Sequence, residues 1–213
     1  MLSYLYLLNL LIDYTDGCGV WLLEPQSTNL YLNSETLSTQ SNTTSASTYT
    51  ISFYGTGTIT FSGTHTGTLV GTAADERVSA TFTTTSGTLT STISGTCTKG
   101  QLENQSYATS YIPTNGSIAT RLADQATGSG NSSLINSTEG VLYVQVAALA
   151  NDGSNRVIRI SDGGGNTNAA EIRYAPDGNL YYDIWVGGVS QFSGYYTSFV
   201  QTDENKIAIK YKE

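Results

Sequence analysis

From Ile51 onward the odd positions are apolar or glycine: Ile51, Phe53, Gly55, Gly57, Ile59, Phe61 and Gly63. The even positions Ser52, Tyr54, Thr56, Thr58, Thr60 and Ser62 all carry hydroxyls. A period of two belongs to a β-strand with one face on a core and the other turned outward. Gly55 and Gly57 interrupt the run, so it predicts two strands with a bend between them. Val78, Ala80 and Phe82 predict a further strand facing inward, with Arg77, Ser79 and Thr81 outward, and Leu89, Ile93 and Cys97 predict another. GTGTITFSGT at 55–64 recurs as GTLTSTISGT at 87–96. Two copies are too few for a solenoid, and two similar strands of one sandwich explain them.

The second half alternates in the same way. Leu142, Val144 and Val146 share a face, as do Ile158 and Ile160, then Ile172 and Tyr174. Leu180, Tyr182, Ile184 and Val186 follow, and Ile207, Ile209 and Tyr211 close the series. Between them lie the turn signals Asn151-Asp152-Gly153, Asp162-Gly163-Gly164, Pro176-Asp177-Gly178-Asn179 and Gly187-Gly188. Strands at this spacing predict an antiparallel sandwich. Between the halves, residues 101–121 hold Pro113, which biases Ile112 to an extended conformation, and then the turn pair Asn115-Gly116. Residues 106–114 are expected to run extended along the first sandwich, anchored by Tyr107 and Tyr111. The small-residue stretch TGSGNSSLIN at 127–136 marks a boundary.

The prediction is therefore all-β: a jelly-roll-like sandwich and a second, partial sandwich joined by an extended connector. The expected division is an N-terminal apolar segment and lead-in strand at 1–30, a first sandwich with its connector at 31–121, a linker at 122–136 and a second sandwich at 137–213. The apolar run at 2–12 is too short to span a bilayer as a helix. No basic residue precedes it and no small-x-small site follows it, so it reads as a strand or a partner-contact segment rather than a signal peptide.

Composition agrees with β structure: Ser and Thr make up about a quarter of the chain, well above average usage, and Thr, Tyr and Val suit a pleated surface. The net charge is −8 with only 9 Lys+Arg. That leaves no source for the counterion release that drives phosphate binding, so nucleic acid is not expected as a partner. Cys18 and Cys97 are too few for a disulfide framework; they either pair or remain buried thiols.

Several strings resemble known families. DYTDG at 13–17, LLEPQ at 22–26 and TNL at 28–30 resemble a segment of many tailed-phage virion proteins that lies just ahead of a carbohydrate-binding-module-like jelly roll. QLE at 101–103, SYATSYIPT at 106–114 and ATR at 119–121 are similar to that family's connector motif. From about Ser133, STEGVLYVQVAALANDG, RISDG and NKIAIKYKE resemble a concanavalin A-like or laminin-G-like domain attached to the same proteins. In that family the strand like 206–210 is followed by further strands, whereas this chain stops at Glu213, so the second sandwich is expected to lack part of its sheets. The resemblance implies a non-enzymatic structural protein of the virion surface, of tail-fibre or appendage type. Host-surface glycans are its candidate ligands, and a secreted bacterial carbohydrate-binding or adhesin module is the alternative.

Candidate chemistry is sparse. His65, the one histidine, lies in a turn-like GTHTG context without the companions a metal site or triad requires. Asp75 and Glu76 are adjacent, so on a strand they would point to opposite faces, and a solvated turn suits them better than glycoside cleavage. Asp152, Asp162 and Asp177 lie in Gly-rich turns where laminin-G-like domains often hold calcium, yet no calcium-loop spacing is present and Asp-Gly is also an ordinary hairpin signal. No cofactor is expected. For stacking on a sugar the candidates are Tyr181, Trp185, Tyr195 and Tyr196, with Tyr181 and Trp185 opposite the core-facing positions of their strand; packing against a neighbouring sheet or subunit is the competing use. The unpaired edge and apolar face expected at 206–210 predict other copies of the chain as partners. A homotrimer is favoured because the resembled fibre proteins are usually trimeric, other virion proteins are further partners, and no membrane insertion is expected.

Overall fold

The computed structural model describes residues 6–8, 11–13, 17, 19–127, 133, 135–136, 138–163 and 165–212. Cys18, most of the spacer at 127–136 and part of the apolar run at 2–12 lie outside them. The described residues form antiparallel strands and no helix, an all-β fold of sandwich type. The chain divides into two units, Met1–Gly128 and Ser129–Glu213.

In the first unit the short strands β1 (Tyr6–Leu8), β2 (Leu11–Asp13), β3 (Val20–Leu22) and β4 (Ser27–Asn29) lead in. The sandwich follows as β5 (Gln40–Thr44), β6 (Thr48–Tyr54), β7 (Thr58–Gly63), β8 (Gly67–Val70), β9 (Arg77–Thr83), β10 (Gly87–Ser94) and β11 (Thr98–Glu103). Then come β12 (Ala119–Arg121) and β13 (Gln125–Thr127). A four-stranded sheet, β5-β10-β7-β8, faces a three-stranded one, β11-β6-β9. Between them Ile51, Phe53, Ile59, Leu89 and Leu102 are fully buried, and each such side chain stabilises the fold by about 1.5–3 kcal/mol relative to exposure. Buried among them, the Tyr31 hydroxyl donates to Ser91 (2.8 Å), and desolvation pushes its pKa far above the ordinary tyrosine range. The two copies of the internal repeat are direct neighbours: β7 pairs β10 with Ile59 opposite Ile93.

The continuous alternation at 51–63 is divided between the two sheets, with β6 in one and β7 in the other. Gly55 makes the crossing: its φ is +131°, and a Cβ there would lie 2.1 Å from the Thr96 carbonyl oxygen. Only glycine fits both the dihedral and the space.

The hydroxyl face of β6 does not meet solvent as the alternation suggested. Thr50 and Ser52 are buried; Thr50 donates to the Gln105 carbonyl (2.8 Å), and Ser52 accepts from Arg77 (2.7 Å). Residues 104–114 follow an irregular path on that side, and the two strings that carry the resemblance meet there. Glu103, fully buried, accepts from the Thr109 amide (3.0 Å), the Thr109 hydroxyl, Ser27 (2.6 Å) and Gln105 (2.9 Å). Gln101 takes the Ile112 amide (2.6 Å) and donates to the Thr109 carbonyl (3.2 Å). Asn29 donates to the carbonyls of Gly100 (3.0 Å) and Ile112 (2.9 Å). Glu24 accepts from the Ser110 amide (2.7 Å) and pairs with Arg121 (2.7 Å). A connector without a ladder of its own satisfies its buried backbone groups on these side chains. Its most buried residues are Thr109, Ile112 and Thr114, while Tyr107 and Tyr111, the expected anchors, are half-buried. Tyr111 instead reaches Ser34 (2.6 Å) and Glu35 (2.9 Å) through its hydroxyl.

The lead-in and the residues after the connector belong to this unit as well. β4 pairs β12, β1 pairs β13, and the Asp124 amide donates to the Glu24 carbonyl (2.9 Å).

The second unit comprises β14 (Glu139–Val146), β15 (Arg156–Ser161), β16 (Ala169–Tyr174), β17 (Leu180–Val186), β18 (Val189–Tyr196) and β19 (Asn205–Lys212). A four-stranded sheet, β15-β16-β17-β18, packs on a two-stranded one, β14-β19, around Leu142, Ile172, Tyr174, Leu180 and Ile209. Gly187 and Gly188, both at positive φ, form the two-residue loop between Val186 and its partner Val189, the conformation that matches the twist of a hairpin. Val186 is exposed at this tip rather than inward. β18 is a strand that the alternation did not reveal.

Candidate ligand face on the four-stranded sheet

Because cross-strand partners share a face, the registers of β15 to β18 arrange the outward side chains in three rows. The first row runs Val157, Arg173, Tyr181, Tyr195; the second Arg159, Glu171, Asp183, Ser193; the third Ser161, Ala169, Trp185, Ser190. A register shift between Ile184 and Trp185 places Ser190 opposite Trp185.

In the first row the rings of Tyr181 and Tyr195 lie 5.6 Å apart at 34°, and the Arg173 guanidinium sits 4.5 Å from the Tyr181 ring centre. The Tyr181 hydroxyl donates to Asp177 (2.8 Å) in the adjoining turn. This bond and the Asn179 amide hold the Asp177 carboxyl below its ordinary pKa, while the same contact raises that of Tyr181. In the second row Glu171 and Asp183 are buried although they point outward, since longer side chains flank them. Glu171 accepts two hydrogen bonds from Arg159 on one oxygen and one from Arg173 on the other. Asp183 accepts from Ser193 (2.6 Å).

The result is a sheet face with two neighbouring tyrosine rings along one side, one of them beneath the Arg173 guanidinium, and a charge network at its centre. Such a surface offers apolar contact to the face of a sugar ring and both donors and acceptors to its hydroxyls. Glu171 and Asp183 are cross-strand partners, a spacing that invites comparison with a glycosidase pair. Both oxygens of Glu171 are already engaged by guanidinium groups, which suits a positioning role for the arginines.

Of the four aromatic candidates, the sheet brings Tyr181, Trp185 and Tyr195 to this face. Tyr196 is on the opposite face: its register partner is the buried Leu180, and its ring stacks on Phe199 at 6.3 Å. Arg159, Glu171, Arg173 and Asp183 were not anticipated. Their signal was present in the alternation of AEIRY, where Glu171 and Arg173 occupy the positions between Ile172 and Tyr174.

The other candidates have local partners. His65 stacks on Phe82 at 4.1 Å. Asp75 and Glu76 are exposed, and Glu76 accepts from Thr72 (2.7 Å). Asp152 pairs with Arg156 (2.9 Å), Asp162 accepts from Asn168 (2.7 Å) and Asp177 accepts from Tyr181. The strand registers place Asp162 at the opposite end of the sheet from Asp152 and Asp177. Among the described residues no group of three or more His, Cys, Asp or Glu is placed to hold a metal ion, and no helix is long and apolar enough to cross a membrane. Cys97 is a buried thiol with its pKa raised by that burial. Compared with protein-family models, curated proteins and solved structures, the chain gives no match.

Proposed function

We propose that this chain is a non-enzymatic structural protein of a tailed-phage virion, of tail-fibre or surface-appendage type. In this reading its second unit binds a host-surface glycan across the outward face of β15 to β18. The row Arg173, Tyr181, Tyr195 carries the binding reading: two adjacent rings and a guanidinium on one sheet face, beside the Arg159, Glu171, Arg173 charge network. The virion reading rests on the resemblance of LLEPQ and QLE…SYATSYIPT, and Glu24, Gln101 and Glu103 from those strings form the network that holds the connector.

The test pairs a glycan array with labelled antibody against this chain on phage particles. Binding to a defined glycan, weakened in Tyr181→Ala and Tyr195→Ala, together with antibody density on particles is the expected result. Glycan binding without particle labelling would move the assignment to a secreted bacterial carbohydrate-binding or adhesin module. Particle labelling with no glycan bound would leave a purely structural role.

A further inference from the structure

Arg173 differs from the other two arginines of the second unit in what it leaves free. Arg156 engages both amino groups, on the Ser154 carbonyl and on Asp152. Arg159 engages Nε and both amino groups, on Glu171 and on the Gly165 carbonyl. Arg173 uses Nε alone, on Glu171 (3.2 Å). Its Nη1 and Nη2 bond no protein group among the described residues, and its side chain is partly exposed.

That free edge is held in place from two directions. The Tyr181 ring centre lies 4.5 Å from the guanidinium, and the Tyr181 hydroxyl is itself tied to Asp177 (2.8 Å). Glu171, held on its other oxygen by Arg159, fixes Nε. On the flank away from Tyr181 the register neighbour is Val157, exposed and uncharged. The nearby carboxylates Asp177 and Asp183 are bonded to the hydroxyls of Tyr181 and Ser193, not to Arg173. A guanidinium whose orientation is already set loses less freedom when it forms further bonds. Two parallel N–H donors match two oxygens of a carboxylate, sulfate or phosphate. Tyr195 extends the row on the other side: it is exposed, and two strand spacings, about 10 Å, separate it from Arg173. That distance exceeds one pyranose ring, so a group on Arg173 and a ring stacked on Tyr195 belong to different sugars of one chain. The Tyr181 ring between them has the guanidinium over it and serves to position Arg173.

We infer that the ligand of this face is an acidic oligosaccharide, with an anionic group of one sugar held by the two Arg173 amino groups and a neighbouring sugar stacked on Tyr195. The inference rests on the glycan reading of the same face and adds the class of glycan and the residue that selects it.

The experiment applies the full chain to an array of bacterial surface oligosaccharides. Each uronate-, sulfate- or phosphate-bearing member is printed beside its neutral counterpart, carboxyl-reduced or freed of the ester group. An acidic member is expected to bind at least about tenfold more tightly than its neutral counterpart, the scale of a charge-assisted bidentate contact. Binding of any of the three acidic kinds supports the inference, and the kind bound names the anionic group. Arg173→Gln should abolish the preference, and Arg173→Lys, which keeps the charge without the planar fork, should retain only part of it. Tyr195→Ala should weaken acidic and neutral members by the same factor. Unchanged amide protection across β16 and β17 in each variant shows that the sheet is intact. Acidic and neutral members bound equally, or a preference that survives Arg173→Gln, would overturn the inference and leave the glycan reading standing. An array with no member bound would remove both.

Discussion

Glu103 provides the sharpest test of how the connector is held. It is fully buried, forms no ion pair among the described residues and accepts from four donors. Glu103→Ala would strand the buried amide and hydroxyl of Thr109 and the hydroxyl of Ser27. Each buried donor left unmatched costs about 1–3 kcal/mol. Release of a desolvated carboxylate offsets part of that, which leaves a net loss of about 3 kcal/mol. Glu103→Gln behaves differently. Its oxygen can keep the Thr109 amide, and the hydroxyls of Ser27 and Thr109 can rotate to accept from its nitrogen, so about 1 kcal/mol is expected. The assay is native-state amide exchange at Thr109 and Ile112. At tenfold per 1.4 kcal/mol, alanine should accelerate exchange about a hundredfold and glutamine about fivefold. Alanine and glutamine variants that both exchange at the parent rate would refute the claim that this carboxylate fastens the connector.

Replacing Tyr181 with Phe should move the Asp177 carboxyl pKa back up toward its ordinary value, as read by NMR titration. Because that pKa is depressed in the folded chain, the bond's stabilisation is present above the ordinary carboxylate range and is lost as pH falls through the folded value. Gly55→Ala should lower stability by about 2 kcal/mol or more, seen as a reduced melting temperature, since both the dihedral and the Thr96 carbonyl oppose a side chain. No reducing ends should be released from host polysaccharide by the purified chain; release that disappears in Glu171→Gln or Asp183→Asn would contradict the non-enzymatic reading. Sedimentation should show a homo-oligomer, with three copies favoured; a stable folded monomer at micromolar concentration would remove that proposal.

The strands that line the two cores were legible because period-two alternation directly reports a face turned from water. Ile51, Phe53, Ile59, Phe61, Leu142, Ile172 and Ile209 are all buried. Alternation does not say what covers the other face, and so Ser52 read as outward although it is buried beneath Arg77, beside Thr50, which bonds the connector at Gln105. Nor does it say which sheet a strand joins: the bend at Gly55 and Gly57 was legible, but not that it carries the chain from one sheet to the other. β18 escaped notice because an edge strand beyond the reach of the covering layer is largely exposed on both sides. At the candidate site the aromatic residues stood out by type. The arginines and carboxylates did not, because Arg159, Glu171 and Asp183 become neighbours only through strand register.

The connector network also bears on when the first unit can fold during synthesis. Its bonds join residues 24–29 to residues 100–124, separations of 71–100 positions. Contacts so distant in sequence are slow to close, because the chain must be ordered before they form. On the ribosome, at roughly 5–20 residues per second, Ser27 and Asn29 emerge several seconds before Ala119 and Arg121, their β-strand partners. Until residues 100–121 have been made, the long-range bonds of Glu24, Ser27 and Asn29 cannot all form and the sandwich has an open side. The nascent chain therefore passes through a stage in which most of the first core has been synthesised but the unit cannot close, and the arrival of residues 101–121 ends it.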